Sequence, residues 1–206
     1  MEAVVRDTSN DLLLAYLDQI LQEPLRLLET ARMSYRHQLG FMKLTLSHDA
    51  RGGALRLHIW DGSATVIEDI HSHCADFTSR IVSGGLEERQ YELIPGESFA
   101  RFRYSFDSQA GHALSHADGL TNVIQTQVSP LLAGAIYHRH SQELHTVAST
   151  LANTITVSAW SARAAEAVVI KPIGALAEDC GVIAGIPPEH ARCLLKSIRG
   201  RLNVST

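Results

Sequence analysis

The sequence predicts a mainly β fold that is flanked by helices at both ends. From residue 41 onward, apolar and polar residues alternate in short runs such as FMKLTLSHD (41–49) and ALRLHIWDG (54–62). Turns that contain glycine or aspartate separate these runs at short intervals. Before and after this region, the apolar residues recur with helical spacing. Many short alternating strands with turns between them are typical of a β-sandwich or a small β-barrel.

Two N-terminal helices are predicted from the spacing of leucines. In residues 9–22, SNDLLLAYLDQILQ, the apolar side chains fall on one helical face, and Ser9 or Asn10 is a suitable N-cap. Pro24 fits the first turn of a second helix that runs to about Arg32, because the first turn leaves its N–H groups unpaired in any case.

The β region continues with RIVSGGLEERQYELI (80–94), which predicts two strands joined by a turn at Gly84 and Gly85. Further strands are predicted for RFRYSF, GLTNVIQTQVS, AGAIYHRH, LHTVAS, TITVSAWS and AVVIKP. PPEHARCLLKSIRGRL then predicts a closing helix. We therefore predict a single domain over residues 1–206, with a helical N-terminal segment at 1–36, a β-barrel at about 41–172 and a C-terminal helix at about 187–202.

The composition excludes several classes of function. The chain has 206 residues, of which 45% are hydrophobic and 19% charged, and its net charge is −4. This balance gives no basic bias towards nucleic acid, and no apolar run is long enough to span a membrane. Three cysteines without a CxxC motif predict a reducing compartment. We expect a cytoplasmic protein, either a monomer or a homodimer, with no nucleic-acid or membrane partner.

Histidine is unusually frequent, with eleven residues, and His71 and His73 lie one residue apart. On a strand, residues i and i+2 leave the same face, so both imidazoles can bind one metal ion. Ile70 and Phe77 flank the pair, which predicts that this face turns inward. Two buried imidazoles without a shared ion or hydrogen-bond partners would be costly.

A third ligand must come from a later segment. His112 and His116 lie in a polar segment that is predicted to be an exposed loop. His138 and His140 form a second His-x-His pair, and His145 opens the strand LHTVAS. The residues alone leave both His140 and His145 open as the third ligand.

The segments HSHCADFTSRIVSGG (71–85) and HSQELHTVAS (140–149) resemble the two metal-binding motifs of the cupin superfamily. The closer resemblance is to the cysteine-dioxygenase-like thiol dioxygenases, over roughly residues 41–160. Phe77 and Thr78 stand where other cupins carry a glutamate ligand. The resemblance implies a double-stranded β-helix, which is the cupin jelly-roll barrel, and a metal held by His71, His73 and His145.

The resemblance also implies Fe(2+) as the metal, with Zn(2+) or another divalent ion as the alternative. Lys43 stands where the family has its arginine for the substrate carboxylate. Ser158 and Trp160 replace the histidine and tyrosine of the family's proton relay, and Thr78 replaces the crosslinked cysteine. These departures argue against cysteine as the substrate.

We therefore expect a mononuclear non-haem iron oxygenase of the dioxygenase type that binds a small amino-acid-like, amine or thiol substrate together with dioxygen. The residues expected to act beside the metal are Lys43 as an anion-binding group, Tyr137 as a proton donor and His140 as a pocket-lining group. The alternatives are a zinc-type cupin that catalyses isomerisation, hydrolysis or condensation, and a non-catalytic cupin that binds a small ligand.

Overall fold

A computed structural model describes residues 1–37, 40–60, 68–107, 112–164, 166–178 and 185–204. The helices are α1 (Glu2–Arg6), α2 (Asp11–Gln22), α3 (Pro24–Arg32) and α4 (Pro188–Val204). The strands are β1 (Tyr35–Arg36), β2 (Met42–His48), β3 (Ala54–Trp60), β4 (Ile70–His71), β5 (Phe77–Ser83), β6 (Gly85–Asp107), β7 (His112–Leu132), β8 (Ile136–Arg139), β9 (Leu144–Thr150), β10 (Thr154–Trp160) and β11 (Ala167–Pro172). The fold is thus mainly β with helices at both ends, as the sequence predicts.

The strands form two antiparallel sheets. One sheet has six strands in the order β1-β2-β3-β10-β5-β8, and the other has five in the order β11-β4-β9-β6-β7. Strands β6 and β7 form a long antiparallel ribbon, and β6 also pairs with both β9 and β11. The ribbon corrects one expectation: His112 and His116 lie on strand β7 and not in a loop.

The predicted helices α2 and α3 are confirmed, and the short helix α1 precedes them. Leu13, Leu17 and Ile20 of α2 are fully buried in the main hydrophobic core. On the sheet side, this core is built by alternate residues of three strands: Met42, Leu44, Leu46, Leu55, Leu57, Ile59, Ile155, Val157 and Ala159. The helices therefore cover one face of the six-stranded sheet, which we call the outer face.

The opposite face of this sheet, which we call the inner face, carries polar side chains of β3. Because side chains alternate along a strand, Arg56 and His58 of β3 point away from the helices. A small second cluster, formed by Ala54, Ala75, Phe77 and Trp160, is also separate from the helical core.

The turn between β5 and β6 explains why the sequence has glycine there. Gly84 has φ +72°, and an added Cβ would lie 2.5 Å from Thr154 Oγ1. A residue with a side chain would be both strained and crowded at this position. The predicted strand–turn–strand unit is confirmed.

Among the described residues, no helix is both long enough and apolar enough to cross a membrane. Cys180, one of the three cysteines used in the sequence argument, lies outside the described residues.

Candidate metal centre

The structure brings His71, His73 and His145 together. His71 ends β4 and is paired with His145 on β9, while His73 lies just beyond β4. One ring nitrogen from each histidine lies within 4.8 Å of the others, and Nε2 of His73 is 2.8 Å from Nε2 of His145. Nitrogens of two imidazoles bound side by side to one metal at about 2.0–2.1 Å are roughly 3 Å apart. The His73–His145 distance therefore matches that of two ligands on one metal, and the His71 nitrogen lies within 4.8 Å of both.

Backbone contacts fix the loop that carries His73. Its N–H donates to the carbonyl of Ser141 at 2.9 Å. Ser72 points away from the histidines, because its hydroxyl accepts a hydrogen bond from Val168 N–H at 2.9 Å. The alternation predicted for the His-x-His pair thus continues past the end of the strand.

Hydrogen bonds orient two of the three rings. Nδ1 of His71 donates to the carbonyl of Asp69 at 2.9 Å, and Nδ1 of His145 lies 2.7 Å from Oε1 of Glu88. A carbonyl or carboxylate oxygen only accepts, so each Nδ1 carries the proton and Nε2 keeps its lone pair. This arrangement is typical of metal-binding histidines.

Glu88 and Arg139 form a buried pair behind His145. The Glu88 side chain is 1% exposed. Its two carboxylate oxygens accept hydrogen bonds from Arg139, one from Nε at 3.0 Å and one from Nη2. Burial alone would raise the pKa of Glu88, but the hydrogen bonds from His145 and Arg139 outweigh it and hold the pKa below its ordinary value. Glu88 is therefore a carboxylate that can anchor His145.

Glu88 was not predicted as a site residue, although the sequence carries a signal for its burial. Leu86 and Glu88 lie on the same face of β6, and both are buried. Counting in steps of two from an apolar strand residue places Glu88 inside the protein.

A second carboxylate lies near the group. Oε1 of Glu68 is 4.0 Å from Nε2 of His71, and the Glu68 side chain is 9% exposed. Its Oε2 accepts a hydrogen bond from Val147 N–H. Glu68 was not predicted either, because it precedes the histidine pair, whereas the cupin motif places its acidic residue after the pair.

Burial favours the uncharged form of the His71 and His73 imidazoles. Desolvation lowers the pKa of His71, although the nearby Glu68 opposes the shift. Desolvation, together with the neighbouring histidines, lowers the pKa of His73 well below its ordinary value. Neutral imidazole is the form that binds metal, so protons compete weakly for these two ligands at neutral pH.

Aromatic rings wall one side of the group. Phe77 and Trp160 are stacked with ring centroids 4.4 Å apart, and the His73 ring meets both edge-on at 5.1 and 5.0 Å. Trp160 is thus a wall residue beside His73. Ser158, which stands at the other relay position, is buried and lies 3.1 Å from the hydroxyl of Ser79.

Two cations face the same side of the six-stranded sheet. Lys43 is paired with His58 across β2 and β3, and its Nζ donates to the Tyr35 hydroxyl at 3.0 Å. The guanidinium of Arg56 lies over the Trp160 ring, with Cζ 4.4 Å from the centroid. Both cations contribute to lowering the pKa of His73, which places them within electrostatic range of the histidine group.

Tyr137 lies near the group but is not part of it. Its ring contacts Phe77 at a centroid distance of 6.0 Å, and the Arg139 guanidinium lies over it at 5.6 Å. Burial raises the pKa of Tyr137 above its ordinary value. The phenol therefore stays protonated at neutral pH, in the form required of a donor.

His140 is placed apart from the other proposed site residues. Its side chain is 67% exposed, and its Nδ1 is 3.5 Å from Oδ2 of Asp76. Together with His138 these residues form a second, exposed group of ligand-type side chains. The structure thus groups His145, and not His140, with the His71–His73 pair.

Comparisons with known proteins do not assign the chain to a family. No protein-family model matches it, and no curated protein matches it. Among solved structures, a mutant of a family 29 carbohydrate-binding module aligns with 68% of this chain and 75% of its own, at 8% identity and a TM-score of 0.13. A TM-score this low carries no argument about fold or function.

His58 allows the burial of the inner face to be tested away from the proposed ligands. Desolvation first, and then Lys43 and Arg56, lower the pKa of His58 well below its ordinary value. Below about pH 6.5 the unfolded chain binds a proton that the folded protein does not, so stability falls as the pH falls. Each such group makes the unfolding free energy fall by about 1.4 kcal/mol for every pH unit of acidification, once the group is fully protonated in the unfolded chain.

Between pH 5.5 and 4, we expect the unfolding free energy of His58→Gln to depend less steeply on pH than that of the wild type, by about this amount. Glutamine can keep the hydrogen bond to the Thr156 hydroxyl, which lies 3.3 Å from His58 Nδ1. Urea unfolding of metal-free protein at several pH values measures the slope. The same pH dependence in wild type and variant would show that His58 is protonated in the folded protein.

Proposed function

We propose that this protein is a mononuclear non-haem metal enzyme, and specifically an iron oxygenase of the dioxygenase type built on a cupin-like double-stranded β-helix. The observation that carries the proposal is the convergence of three buried or half-buried imidazoles within 4.8 Å. A group of three neutral ligands leaves the charge of a ferrous ion uncompensated and leaves coordination positions open. The proposed partners are a small amino-acid-like, amine or thiol substrate and dioxygen, in a monomer or homodimer.

The donor set fits the proposed ion. His71 and His145 are fixed with Nε2 available, and His73 supplies the third nitrogen. When bound, the ion supplies open positions where an anionic substrate and dioxygen meet. Zn(2+) also accepts three imidazoles and one water, so the metal must be determined by experiment.

The chain's own residues orient the ligands and exclude water. Glu88 and the Asp69 carbonyl hold two imidazole rings in place. Phe77 and Trp160 shield one side of His73 from solvent. Tyr137 retains its proton and is the proposed donor, while Lys43 adds positive charge on the inner face. His140, on the exposed group, is proposed to have no direct role.

Metal content and oxygen uptake test the proposed reaction. We expect protein purified without oxygen to contain one iron per chain and to consume oxygen only when a substrate is added. The substrate panel is cysteine, 3-mercaptopropionate, cysteamine and common amino acids. We expect slow turnover of cysteine, because misplacement by about 1 Å can cost on the order of 100-fold in rate and Lys43 does not reproduce a bidentate arginine contact.

Each alternative gives a different result in this assay. One equivalent of zinc without oxygen uptake would favour a non-oxidative cupin. Protein that binds neither iron nor zinc would favour a ligand-binding role and contradict the proposal. Rapid turnover of cysteine would contradict the prediction that cysteine is a poor substrate, but it would leave the proposed metal site intact.

A further inference from the structure

A second group of metal-binding side chains lies outside the three-histidine group. One ligand atom from each of Asp76, His138 and His140 lies within 4.8 Å of the ligand atoms of the other two. Nδ1 of His140 is 3.5 Å from Oδ2 of Asp76, and these side chains are 67% and 43% exposed. Two ligand atoms that share one ion at about 2.0–2.2 Å are roughly 3 to 3.5 Å apart. Because the group is open to solvent, an ion and its water ligands can enter it.

Strand pairing places the three side chains on one face of the six-stranded sheet. His138 of β8 is directly opposite Thr78 of β5, and side chains opposite each other on antiparallel strands leave the same face. Asp76 lies two residues before Thr78, and His140 lies two residues after His138, so both continue on that face. The ligand set is therefore built from neighbouring positions on two paired segments.

This group is separate from the three-histidine group. Arg139 lies between His138 and His140 in the chain, and its side chain points to the opposite face of the sheet, where it pairs with Glu88 behind His145. The exposed histidines therefore cannot be additional ligands of an ion held by the buried ones.

Hydrogen bonds orient the exposed side chains. Oδ1 of Asp76 accepts from Ser141 N–H at 2.7 Å, which lowers the pKa of Asp76 and leaves Oδ2 of the charged carboxylate facing His140. The Thr78 hydroxyl lies 3.1 Å from Nδ1 of His138, so Nε2 is the nitrogen of that ring left for an ion. The His138 and His140 rings meet edge-on with centroids 4.7 Å apart.

The donor set favours zinc over the hard divalent cations. Two imidazoles and one carboxylate supply two nitrogens and one oxygen, a set that Zn(2+) accepts with one water as the fourth ligand. Mg(2+) and Ca(2+) instead take ligand sets made of oxygen atoms. Three ligands on an open surface should hold an ion that exchanges with the solution.

We propose that Asp76, His138 and His140 bind Zn(2+) as a second, exchangeable metal site. The proposal goes beyond the proposed function and does not rest on it. The ion would tie Asp76, just before β5, to the turn that follows β8. Ser141 in this turn also accepts a hydrogen bond from His73 N–H at 2.9 Å through its carbonyl, so zinc would stabilise the segment that positions His73.

Titration of Zn(2+) into the full-length His73→Ala protein isolates this site, because the variant lacks one nitrogen of the three-histidine group. We expect calorimetry to show one Zn(2+) bound per chain, and Mg(2+) and Ca(2+) not to bind. Adding His138→Gln or His140→Gln should weaken Zn(2+) binding by at least about tenfold, since loss of even an outer partner of a ligand costs about 10–100-fold.

Further variants separate ion binding from structural effects. Asp76→Asn keeps an oxygen that can accept from Ser141 N–H but loses the charge, and it should weaken Zn(2+) binding as well. His190→Gln is the matched control, since His190 is an exposed histidine on α4, and it should leave binding unchanged. If His73→Ala does not fold, the imidazole resonances of metal-free wild-type protein decide: those of His138 and His140 should shift when Zn(2+) is added.

The proposal is overturned if Zn(2+) binding survives both His138→Gln and His140→Gln, or if the resonances of these two rings do not respond to Zn(2+). A response of the same rings to Ca(2+) or Mg(2+) at equal concentration would overturn the assignment to zinc. The two metal proposals can fail separately. Iron-loaded protein whose exposed group ignores zinc refutes only the second site, whereas zinc at this site in protein that binds no iron refutes only the iron oxygenase.

Discussion

Replacing His73 by alanine is expected to remove nearly all metal from the protein while leaving it folded. His73 supplies one of three nitrogens, and it lies on a loop next to the stacked rings of Phe77 and Trp160. Loss of an outer contact to a metal ligand typically costs 10–100-fold in affinity. Loss of a ligand itself should cost more. Metal per chain, measured by elemental analysis after dialysis, gives the result.

His140→Ala is the matched control for this experiment. His140 is also part of a His-x-His pair, but its side chain is largely exposed and belongs to the separate group with Asp76 and His138. It should keep the tightly bound metal at the wild-type level. Wild-type metal content in His73→Ala would contradict the three-histidine site, and loss of metal in both variants would transfer the third ligand to His140. Loss only in His140→Ala would place the metal in the group of Asp76, His138 and His140.

Local sequence patterns predicted the elements of this fold and the histidine pair. Alternation over residues 41–49 and 54–62 predicted β2 and β3, and leucine spacing with Pro24 predicted α2 and α3. These signals are local, since they depend on which residues one helix or strand places on one face. The resemblance to cupin motifs then selected His145, which the structure groups with His71 and His73.

The orientation of the six-stranded sheet could not be read from the same pattern. Alternation separates Leu55 and Leu57 from Arg56 and His58, but it does not say what covers each face. In the structure, helices cover the leucines and the polar residues turn towards the candidate metal centre. This choice depends on contacts between distant segments.

Arg80 also makes contacts with a distant segment that a local sequence pattern does not predict. Its side chain is 2% exposed and donates to the carbonyl of Val5 at 2.8 Å and to Oδ1 of Asn10 at 2.8 Å. Asn10 precedes α2 in the left-handed region, with φ 69°. Arg80 thereby attaches the N-terminal helices to β5, a connection over seventy residues that no local pattern contains.

Replacing Arg139 by methionine is expected to lower the unfolding free energy of the metal-free protein by about 3–5 kcal/mol, the usual cost of removing one partner of a buried ion pair. The Glu88 and Arg139 side chains are only 1% and 13% exposed. The variant would leave the Glu88 carboxylate buried, with the hydrogen bond from His145 Nδ1 remaining. Urea unfolding at pH 7 measures the change.

Two further variants isolate the charge. Glu88→Gln combined with Arg139→Met removes both charges and keeps an amide oxygen that can accept from His145. We expect this double variant to be more stable than Arg139→Met alone. Measured together with the Glu88→Gln single variant, it gives the coupling energy between the two sites. Arg89→Met serves as the surface control, because the Arg89–Glu87 pair on the same strand is 43% and 36% exposed, and it should not change stability measurably.

The pH dependence provides the last check on this pair. In the wild type the pKa of Glu88 is held below its ordinary value, so its contribution to stability is present above that value and is lost as the pH falls through the lowered pKa. Without Arg139, burial dominates and Glu88 takes up a proton at a higher pH. The difference in stability between wild type and Arg139→Met should therefore shrink as the pH falls from 7 to 4. A difference that stays constant over this range would mean that the cost of the substitution arises from lost packing and not from an unpaired carboxylate.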